Sequence, residues 1–248
     1  RDDLVTGVQT CALPISLPHS TRVESESINL SPSFTASGSP CGPLEAHMPE
    51  SRSVVVVDYG AGNLFSISRA IETVGSEVKV VSSADEWVDA PTLVIPGVGA
   101  FGEGMRNLKE RGLAQPIREH AESGRRVLGI CLGAQLLLES SPEFGTHQGL
   151  GLIPGAVESL DPATARVPHV GWAHTESSTP AMSGWFYFVH SFRLAPSQAH
   201  SALATARHGE REFVAAIRVG KVTGVQFHPE KSGPQGLELL GGLINGSV

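Results

Sequence analysis

The sequence has little of what would make it disulfide-rich, metal-binding, membrane-spanning or nucleic-acid-binding. It holds 3 cysteines, and Cys11 and Cys41 lie in an irregular leader, so neither a disulfide framework nor a paired Cys/His zinc spacing is present. No apolar run approaches the roughly 20 residues that span a bilayer. The net charge of −7, without a Lys/Arg block, gives no reason to expect nucleic-acid binding. We therefore expect a reduced, cytoplasmic protein without a metal or other cofactor.

Residues 1–50 differ from the rest of the chain. The stretch 17–49 is rich in Ser and Pro and has no sustained helical or strand period, which predicts disorder. The chain begins at Arg1, and its first sixteen residues resemble translated sequencing-adapter DNA. We expect residues 1–50 to be a disordered, non-native or artefactual leader with the natural start at Met48. Deletion of residues 1–47 is expected to leave folding and activity intact.

The hydrophobic pattern of residues 51–248 predicts one α/β domain. Short apolar runs at 54–57, 78–81, 92–95 and 127–130 are typical of buried strands. Helical periods end near residue 74, cover 102–109 and 114–121, and run from 132 to about 139. This alternation predicts a mostly parallel central sheet flanked by helices. The later runs 184–189, 213–219 and 222–227 predict a smaller antiparallel or mixed sheet, and a last helix is expected over about 236–244.

The segment GICLG (129–133) lies where a predicted buried strand meets a predicted helix. A sharp turn there exposes the side chain of Cys131 at the carboxyl edge of the sheet, and flanking glycines let the backbone bend. The amino terminus of the helix favours a thiolate, and the N–H of Leu132 would point toward an oxyanion. The same five residues also fit a buried structural cysteine, because free cysteine is among the most buried residue types.

A histidine and a glutamate two residues apart follow the run 222–227. Pro229 holds His228 out of the helical region, and extended residues two apart point to the same side, so His228 and Glu230 can lie together. Glu230 would hold one ring nitrogen while the other takes a proton from Cys131, as in a Cys–His–carboxylate triad. Both halves follow strand ends, where open α/β sheets place active sites. The alternative is a surface His–Glu pair at a turn.

Three segments in this order resemble the class I, or triad, glutamine amidotransferases: PGVGAF (96–101), GICLGAQ (129–135) and QFHPE (226–230). Four more resemble the glutaminase subunits of imidazole glycerol phosphate synthases, from histidine biosynthesis: DYGAGNL (58–64), VPHVGW (167–172), YFVHSF (187–192) and HPEKSG (228–233). The resemblance runs from about Val54 to the C-terminus. It implies a flavodoxin-like fold and hydrolysis of glutamine to glutamate and ammonia. It also implies a heterodimer with a cyclase subunit, a (β/α)8 barrel, which receives the ammonia.

The resemblance also assigns roles to individual residues. It makes Cys131, His228 and Glu230 the triad, and it places oxyanion donors near Val98 and at Leu132. The implied contacts with substrate glutamine are Gly97, Gly99, Gln135, Ser191 and Phe192. The implied contacts with the cyclase are Pro168, His169, Trp172, Tyr187 and Lys231. By themselves, residues 96–99 also fit a tight loop and Trp172 a packed aromatic side chain.

Two positions depart from the family pattern. Ala134 stands where the family often has Met, and Ala173 stands where Asn is usual. Neither belongs to the implied triad. Ala173 puts the details of the interface in doubt, because Asn offers hydrogen bonds that Ala lacks.

Three other functions stay open from the sequence. The same glutaminase chemistry could serve another synthase, such as pyridoxal phosphate or anthranilate synthase. A stand-alone Cys–His hydrolase of γ-glutamyl substrates would turn over glutamine without a partner. A non-catalytic scaffold would be insensitive to alkylation of Cys131.

Overall fold

The computed structural model describes residues 53–248, and the predicted leader at 1–50 lies outside the described residues. The helices of the described part are α1 (Leu64–Thr73), α2 (Phe101–Glu110), α3 (Ala114–Glu122), α4 (Leu132–Leu136) and α5 (Gly233–Asn245). The strands are β1 (Ser53–Val57), β2 (Glu77–Val81), β3 (Thr92–Ile95), β4 (Arg126–Ile130), β5 (Ser140–Ser141), β6 (His147–Gln148), β7 (Gly155–Ser159), β8 (His169–Ser177), β9 (Gly184–His190), β10 (Phe192–Pro196), β11 (Ala202–His208), β12 (Arg211–Val219) and β13 (Val222–Val225).

One branched sheet organises the described domain. Its main order is β2-β1-β3-β4-β13-β12-β10-β7-β5-β6, and β11, β8 and β9 branch from β12. The first five strands of this order are parallel to one another. From β12 onward the pairing is mainly antiparallel. The carboxyl ends of β4 and β13 are therefore neighbours, which brings the segments after each strand together.

Side chains of β1 show that both faces of the parallel sheet are covered. Val55 and Val57 pack into one buried cluster with α2 and α3. Val54 and Val56 pack into a second cluster with α1 and α5. Alternate strand residues point to opposite faces, so a strand buried on both faces reads as a continuous apolar run. This is why the sequence of β1 predicts its position.

The structure confirms the predicted parallel sheet with flanking helices. β3 has the predicted bounds, and β1, β2 and β4 each begin one residue earlier than predicted. The antiparallel part continues the same sheet through β13 and β12. The sequence pattern does not predict β5, β6, β7, β8, β10 or β11. β5 and β6 are two residues long, and β8 alternates buried with exposed positions, so such strands lack a continuous apolar run.

Helix α4 ends at Leu136, three residues before the predicted end near Glu139. A following loop supplies the hydrogen bonds that another helical turn would have made. The N–H of Leu150 donates to Leu136 O at 2.8 Å, and the N–H of Leu152 donates to Leu137 O at 2.9 Å. Tertiary contacts thus satisfy the last carbonyls of α4 and release the chain toward β5.

Candidate active site

Cys131 lies at the turn between β4 and α4 with its backbone in a strained conformation. Its φ is 54° and its ψ is −109°, a combination that costs a non-glycine residue about 1–3 kcal/mol. Its N–H donates to Val225 O at 2.8 Å, and its C=O accepts from Gln135 N–H at 3.2 Å. The turn is thus tied to β13 and to the first turn of α4, with the thiol in a nearly buried position.

Close packing explains both glycines of the elbow. A Cβ on Gly133 would lie 1.7 Å from the carbonyl oxygen of Ile95, and one on Gly129 would lie 2.6 Å from Gly133 O. Neither distance is possible for a real side chain, and the obstructing atoms belong to the backbone. The elbow therefore needs these glycines for the close approach of β3, β4 and α4.

His228 and Glu230 form a buried pair, as the two-residue spacing predicts. His228 Nδ1 donates to Glu230 Oε1 at 2.7 Å, and both side chains are 0% exposed. Backbone and hydroxyl contacts hold His228 against β9: its N–H donates to Tyr187 O at 2.9 Å. The hydroxyl of Ser232 donates to His228 O at 2.6 Å and accepts from Tyr187 N–H at 3.0 Å.

Asn63 supplies a third group to this pair. Its Nδ2 donates to Glu230 Oε1 at 2.6 Å, so the oxygen that accepts from His228 also accepts from Asn63. Asn63 precedes α1 with φ 82°, a left-handed conformation that Asn tolerates better than most residues. This positions the carboxamide of a residue 167 positions away in the chain. The second carboxylate oxygen, Oε2, is buried and has no partner within residues 53–248.

The electrostatics of the pair favour a charged imidazole. Burial acts to lower the pKa of His228, but hydrogen bonding and charge interaction with Cys131 and Glu230 outweigh it and raise the pKa to about 9. Burial likewise acts to raise the pKa of Glu230, but its hydrogen bonds with His228 and Asn63 and the charge of His228 lower it. A protonated His228 at neutral pH is the counter-ion that a cysteine thiolate requires.

The sulfur of Cys131 has further polar neighbours. The thiol is 3.6 Å from Val189 O, which can accept its proton, and Gln226 Nε2 donates to it at 3.8 Å. Nε2 of His228 is buried and makes no hydrogen bond of regular geometry within residues 53–248. The neighbouring Cys131 nevertheless contributes both hydrogen bonding and charge to the raised pKa of this ring. The predicted nucleophile, Cys131, and its predicted base, His228, thus lie in one buried cluster.

A cavity of about 200 Å³ lies beside the thiol. Four of the implied substrate contacts line it together with Cys131, namely Gly99, Gln135, Ser191 and Phe192. Its volume is below the roughly 300–1,000 Å³ of sites for drug-sized ligands, so it fits a molecule of amino-acid size. A separate cavity of about 150 Å³ has none of the triad residues in its lining.

The implied oxyanion donor at Leu132 is already engaged. Its N–H donates to Gly97 O at 3.3 Å, and Gly97 does not line the cavity. A Cβ on Gly97 would lie 2.0 Å from Tyr59 Oη, and that hydroxyl donates to Pro96 O at 2.6 Å. Burial, and then the charge of Cys131, raise the pKa of Tyr59 far above its usual value. Tyr59 is thus a neutral hydrogen-bond donor that holds the segment 96–99 in place through the carbonyl of Pro96.

The implied cyclase contacts have different environments. Trp172 and Lys231 are exposed, and Tyr187 is partly exposed opposite Trp172 on the neighbouring strand. Pro168 is exposed and also lines the cavity. His169 is buried, and its Nδ1 bonds to His190, so its side chain is turned away from the surface. Both family departures are also buried: Ala134 at 0% exposure and Ala173 at 7%.

Sequence reasoning missed several residues of this cluster. Gln226 and His228 are two apart in an extended segment, so the alternation that pairs His228 with Glu230 also places Gln226 on the same side. Asn63 has a weaker signal, since only its place in the DYGAGNL segment marks it. Glu143 also lines the cavity, and its Oε2 accepts from Phe101 N–H at 2.6 Å. No motif of the sequence singles out Glu143.

The part of the chain that the structure describes has neither a metal site nor a membrane-spanning helix. Within residues 53–248, no group of three or more His, Cys, Asp or Glu side chains is arranged to hold a metal ion. In the same range, no helix has both the length and the apolar character needed to cross a membrane.

Known proteins resemble this chain over most of its described length. The family model for "Glutamine amidotransferase class-I" matches residues 55–242. "Imidazole glycerol phosphate synthase subunit HisH" of Moorella thermoacetica is 44% identical over 76% of this chain and 92% of its own length. The protein of the same description from Aquifex aeolicus is 45% identical over 75% of this chain and 93% of its own length.

Solved structures support the fold. A crystal structure described as a glutamine amidotransferase has a TM-score of 0.64 and 23% identity, covering 77% of this chain and 98% of its own. The structure of PurLQS from Thermotoga maritima also has a TM-score of 0.64, at 22% identity, over 79% of this chain and 99% of its own. At these identities the likeness concerns the fold alone.

Proposed function

The chain belongs to the class I glutamine amidotransferase family, and from this premise we propose that it is the glutaminase subunit of an imidazole glycerol phosphate synthase. In this role it hydrolyses glutamine to glutamate and ammonia for histidine biosynthesis. The observation that carries the proposal is the buried cluster in which His228 interacts both with Cys131, on its strained turn, and with Glu230. The two HisH relatives, matched over more than nine-tenths of their length, support the choice of synthase.

The first half of the reaction forms a thioester. The Cys131 thiolate attacks the side-chain amide carbon of glutamine, and a carbon–sulfur bond forms. His228, protonated through its raised pKa of about 9, gives its proton to the departing nitrogen as the carbon–nitrogen bond breaks. Ammonia leaves, and a glutamyl group remains on the sulfur. Glu230 keeps the imidazole oriented through the Nδ1 contact.

The second half of the reaction releases glutamate. Neutral His228 takes a proton from water, whose oxygen attacks the thioester carbon. The carbon–sulfur bond then breaks, and the sulfur leaves as the thiolate beside protonated His228. One glutamine and one water thus give one glutamate and one ammonia, and the site returns to its starting state.

We propose that the oxyanion site must be rearranged before the attack. The Leu132 N–H that would stabilise the oxyanion is occupied by Gly97 O. Rotation of the peptide between Gly97 and Val98 would remove that oxygen and turn the Val98 N–H toward the same space, giving two donors. Gly97 has no Cβ to hinder such a rotation, and Val98 and Gly99 are exposed. Docking of the partner is the event we expect to drive it.

The proposed partner is a cyclase subunit with a (β/α)8-barrel fold in a cytoplasmic heterodimer. Ammonia released into water at neutral pH mostly becomes ammonium, which is not nucleophilic, so a docked acceptor protects the product. The exposed Trp172 and Lys231 and the partly exposed Tyr187 flank the site on this chain, and we propose that they meet the cyclase. The backbone of Tyr187 is hydrogen-bonded to both His228 and Ser232. A cyclase that contacts Tyr187 would therefore touch a residue that is bonded directly to the catalytic base.

Replacement of the nucleophile tests this function. With a cyclase subunit and its nucleotide ligand present, Cys131→Ala is expected to abolish glutamine-dependent synthesis and glutamate release. Synthesis from added ammonium salts should persist, because the cyclase is untouched. The double variant Cys11→Ser/Cys41→Ser is the matched control and should behave as wild type. Glutamate release by Cys131→Ala would overturn the assignment, and full wild-type turnover without a cyclase would favour a stand-alone hydrolase.

A further inference from the structure

Four buried or partly buried residues form a continuous chain of hydrogen bonds that ends on the reactive sulfur. Gln135 Nε2 donates to Phe192 O at 3.1 Å and to Gln226 Oε1 at 3.2 Å. Gln226 Nε2 then donates to Cys131 Sγ at 3.8 Å. Gln226 is 0% exposed, and Gln135 and Cys131 are each 5% exposed. Water therefore has little access to this chain.

The carbonyl of Phe192 determines which way both carboxamides face. A carbonyl oxygen only accepts, so the Gln135 atom next to it must be the NH₂ group. The second proton of that group points to Gln226, so the Gln226 atom that receives it must be the oxygen. The NH₂ group of Gln226 is then left facing the sulfur. The orientation of Gln226 thus follows from a backbone atom that cannot donate.

The same carbonyl has a second donor that holds it in place. His190 Nδ1 lies 2.8 Å from Phe192 O, and it must carry a proton for the same reason. His190 is 5% exposed, and burial with neighbouring histidines lowers its pKa to about 3, so its other nitrogen is bare at neutral pH. That nitrogen accepts from His169 Nδ1 at 3.0 Å. Two buried side chains therefore fix the acceptor that orients Gln226.

We propose that Gln226 is a further catalytic residue, which donates a hydrogen bond to the sulfur of Cys131 and stabilises it as the thiolate. This inference rests on the proposed role of Cys131 as nucleophile. A buried anion needs donors, and the carbonyl of Val189, 3.6 Å from the sulfur, is an acceptor that opposes the negative charge. Gln226, the residue directly after β13, donates to the sulfur, and His228 provides the opposite charge. The role of Gln226 differs from that of Gln135, which lines the cavity and acts on the sulfur only through Gln226.

Two substitutions of Gln226 separate the effect of its hydrogen-bond donor from the effect of its side-chain shape. Gln226→Met keeps a long unbranched side chain but removes the donor. We expect kcat for glutamine hydrolysis, measured with the cyclase, to fall about 10-fold, because a hydrogen bond to a charged group contributes on that order. The rate of alkylation of Cys131 by iodoacetamide at neutral pH should fall by a similar factor. Alkylation is followed in a Cys11→Ser/Cys41→Ser background, so that Cys131 is the only thiol.

Gln226→Glu gives a pH signature that a structural role would not produce. At low pH the protonated carboxyl can still donate to the sulfur, so alkylation should approach the wild-type rate. As pH rises the carboxyl ionises and faces the thiolate, so the ratio of variant to wild-type rate should fall progressively. Gln115→Met, on the exposed surface of α3, is the matched control and should leave kcat and alkylation unchanged.

The outcomes are decisive in both directions. If Gln226→Met and Gln226→Glu keep wild-type alkylation rates from about pH 6 to pH 9, the inference is wrong, and an inactive Cys131→Ala would still support the proposed function. If wild type releases no glutamate with the cyclase, yet both variants slow alkylation, the function fails and the contact with the sulfur stands. Should the variants not fold, the side-chain amide resonances of Gln226 can be compared between wild type and Cys131→Ser. Unchanged resonances would overturn the inference.

Discussion

The two halves of the site are positioned by opposite means. The elbow half relies on missing side chains, since Gly129 and Gly133 leave room for backbone atoms that would otherwise overlap. The base half relies on polar side chains, since Asn63 and Ser232 hold Glu230 and His228 by hydrogen bonds. Changes in the elbow should therefore damage the fold, while loss of the carboxylate charge in the base half should mainly damage the rate.

Gly133→Ala tests the elbow half and should have the largest effect. Its Cβ would lie 1.7 Å from Ile95 O, and neither backbone segment can move without disturbing β3 or α4. Overpacking in cores costs roughly 1–3 kcal/mol and occasionally more, and we expect a cost at or above the upper end. The free energy of unfolding from urea titration checks this, together with the loss of glutaminase activity.

A second glycine provides the control for that change. Gly241 lies in α5, and a Cβ there would have its nearest neighbour, Val74 Cβ, at 3.5 Å, an ordinary contact. Gly241→Ala should stabilise the protein by about 0.5–1 kcal/mol, because alanine favours the helix. Equal stability of the two variants would mean that the elbow does not depend on close backbone approach.

Glu230→Gln tests the charge of the base half without changing its shape. The amide oxygen can still accept from Asn63 and His228, but the negative charge that raises the His228 pKa is gone. We expect kcat to fall about 10-fold, the difference between a charged and a neutral hydrogen bond. Stability should change less than in Gly133→Ala, which sharpens the contrast between the two halves.

The pH profile gives the sign of this effect. In wild type the proton on His228 is lost as pH rises through about 9, so kcat/KM should decline on the alkaline side near that pH. Glu230 helps to raise that pKa, so Glu230→Gln should move the alkaline limb to lower pH. A limb that stays in place, or moves upward, would contradict the proposed role of Glu230.

The same contrast explains what could be predicted from the sequence. The elbow is local, since a buried strand, two glycines and a helix start occupy neighbouring positions, and the sequence predicts the turn at Cys131. The pairing of His228 with Glu230 is also local, because it follows from alternation in an extended segment. The alternation reaches Gln226 as well, although only the hydrogen bond to the sulfur reveals its importance.

Long-range contacts account for what the sequence does not predict. Asn63 reaches Glu230 across 167 positions, and no spacing rule connects two residues so far apart. The early end of α4 depends on the loop after β6, whose N–H groups bind the last helical carbonyls. The engaged Leu132 N–H depends on the conformation of Gly97 in another loop. In each case the local sequence allows more than one conformation, and tertiary contacts determine which one is adopted.

Ser232→Ala should have the smallest effect on the rate, and it tests whether the position of His228 can be changed without changing the charge that acts on it. The hydroxyl bridges His228 O and Tyr187 N–H while 3% exposed, so its loss should cost about 1–3 kcal/mol of unfolding free energy. We expect kcat to fall only a few-fold and the alkaline limb to stay near pH 9, because the contacts of Glu230 with His228 remain. Ser183→Ala is the matched control, since Ser183 also bridges an N–H and a C=O, both of Ser177. It should lower stability without changing kcat. A shifted limb in Ser232→Ala would show instead that hydroxyl placement and carboxylate charge act on His228 as one unit.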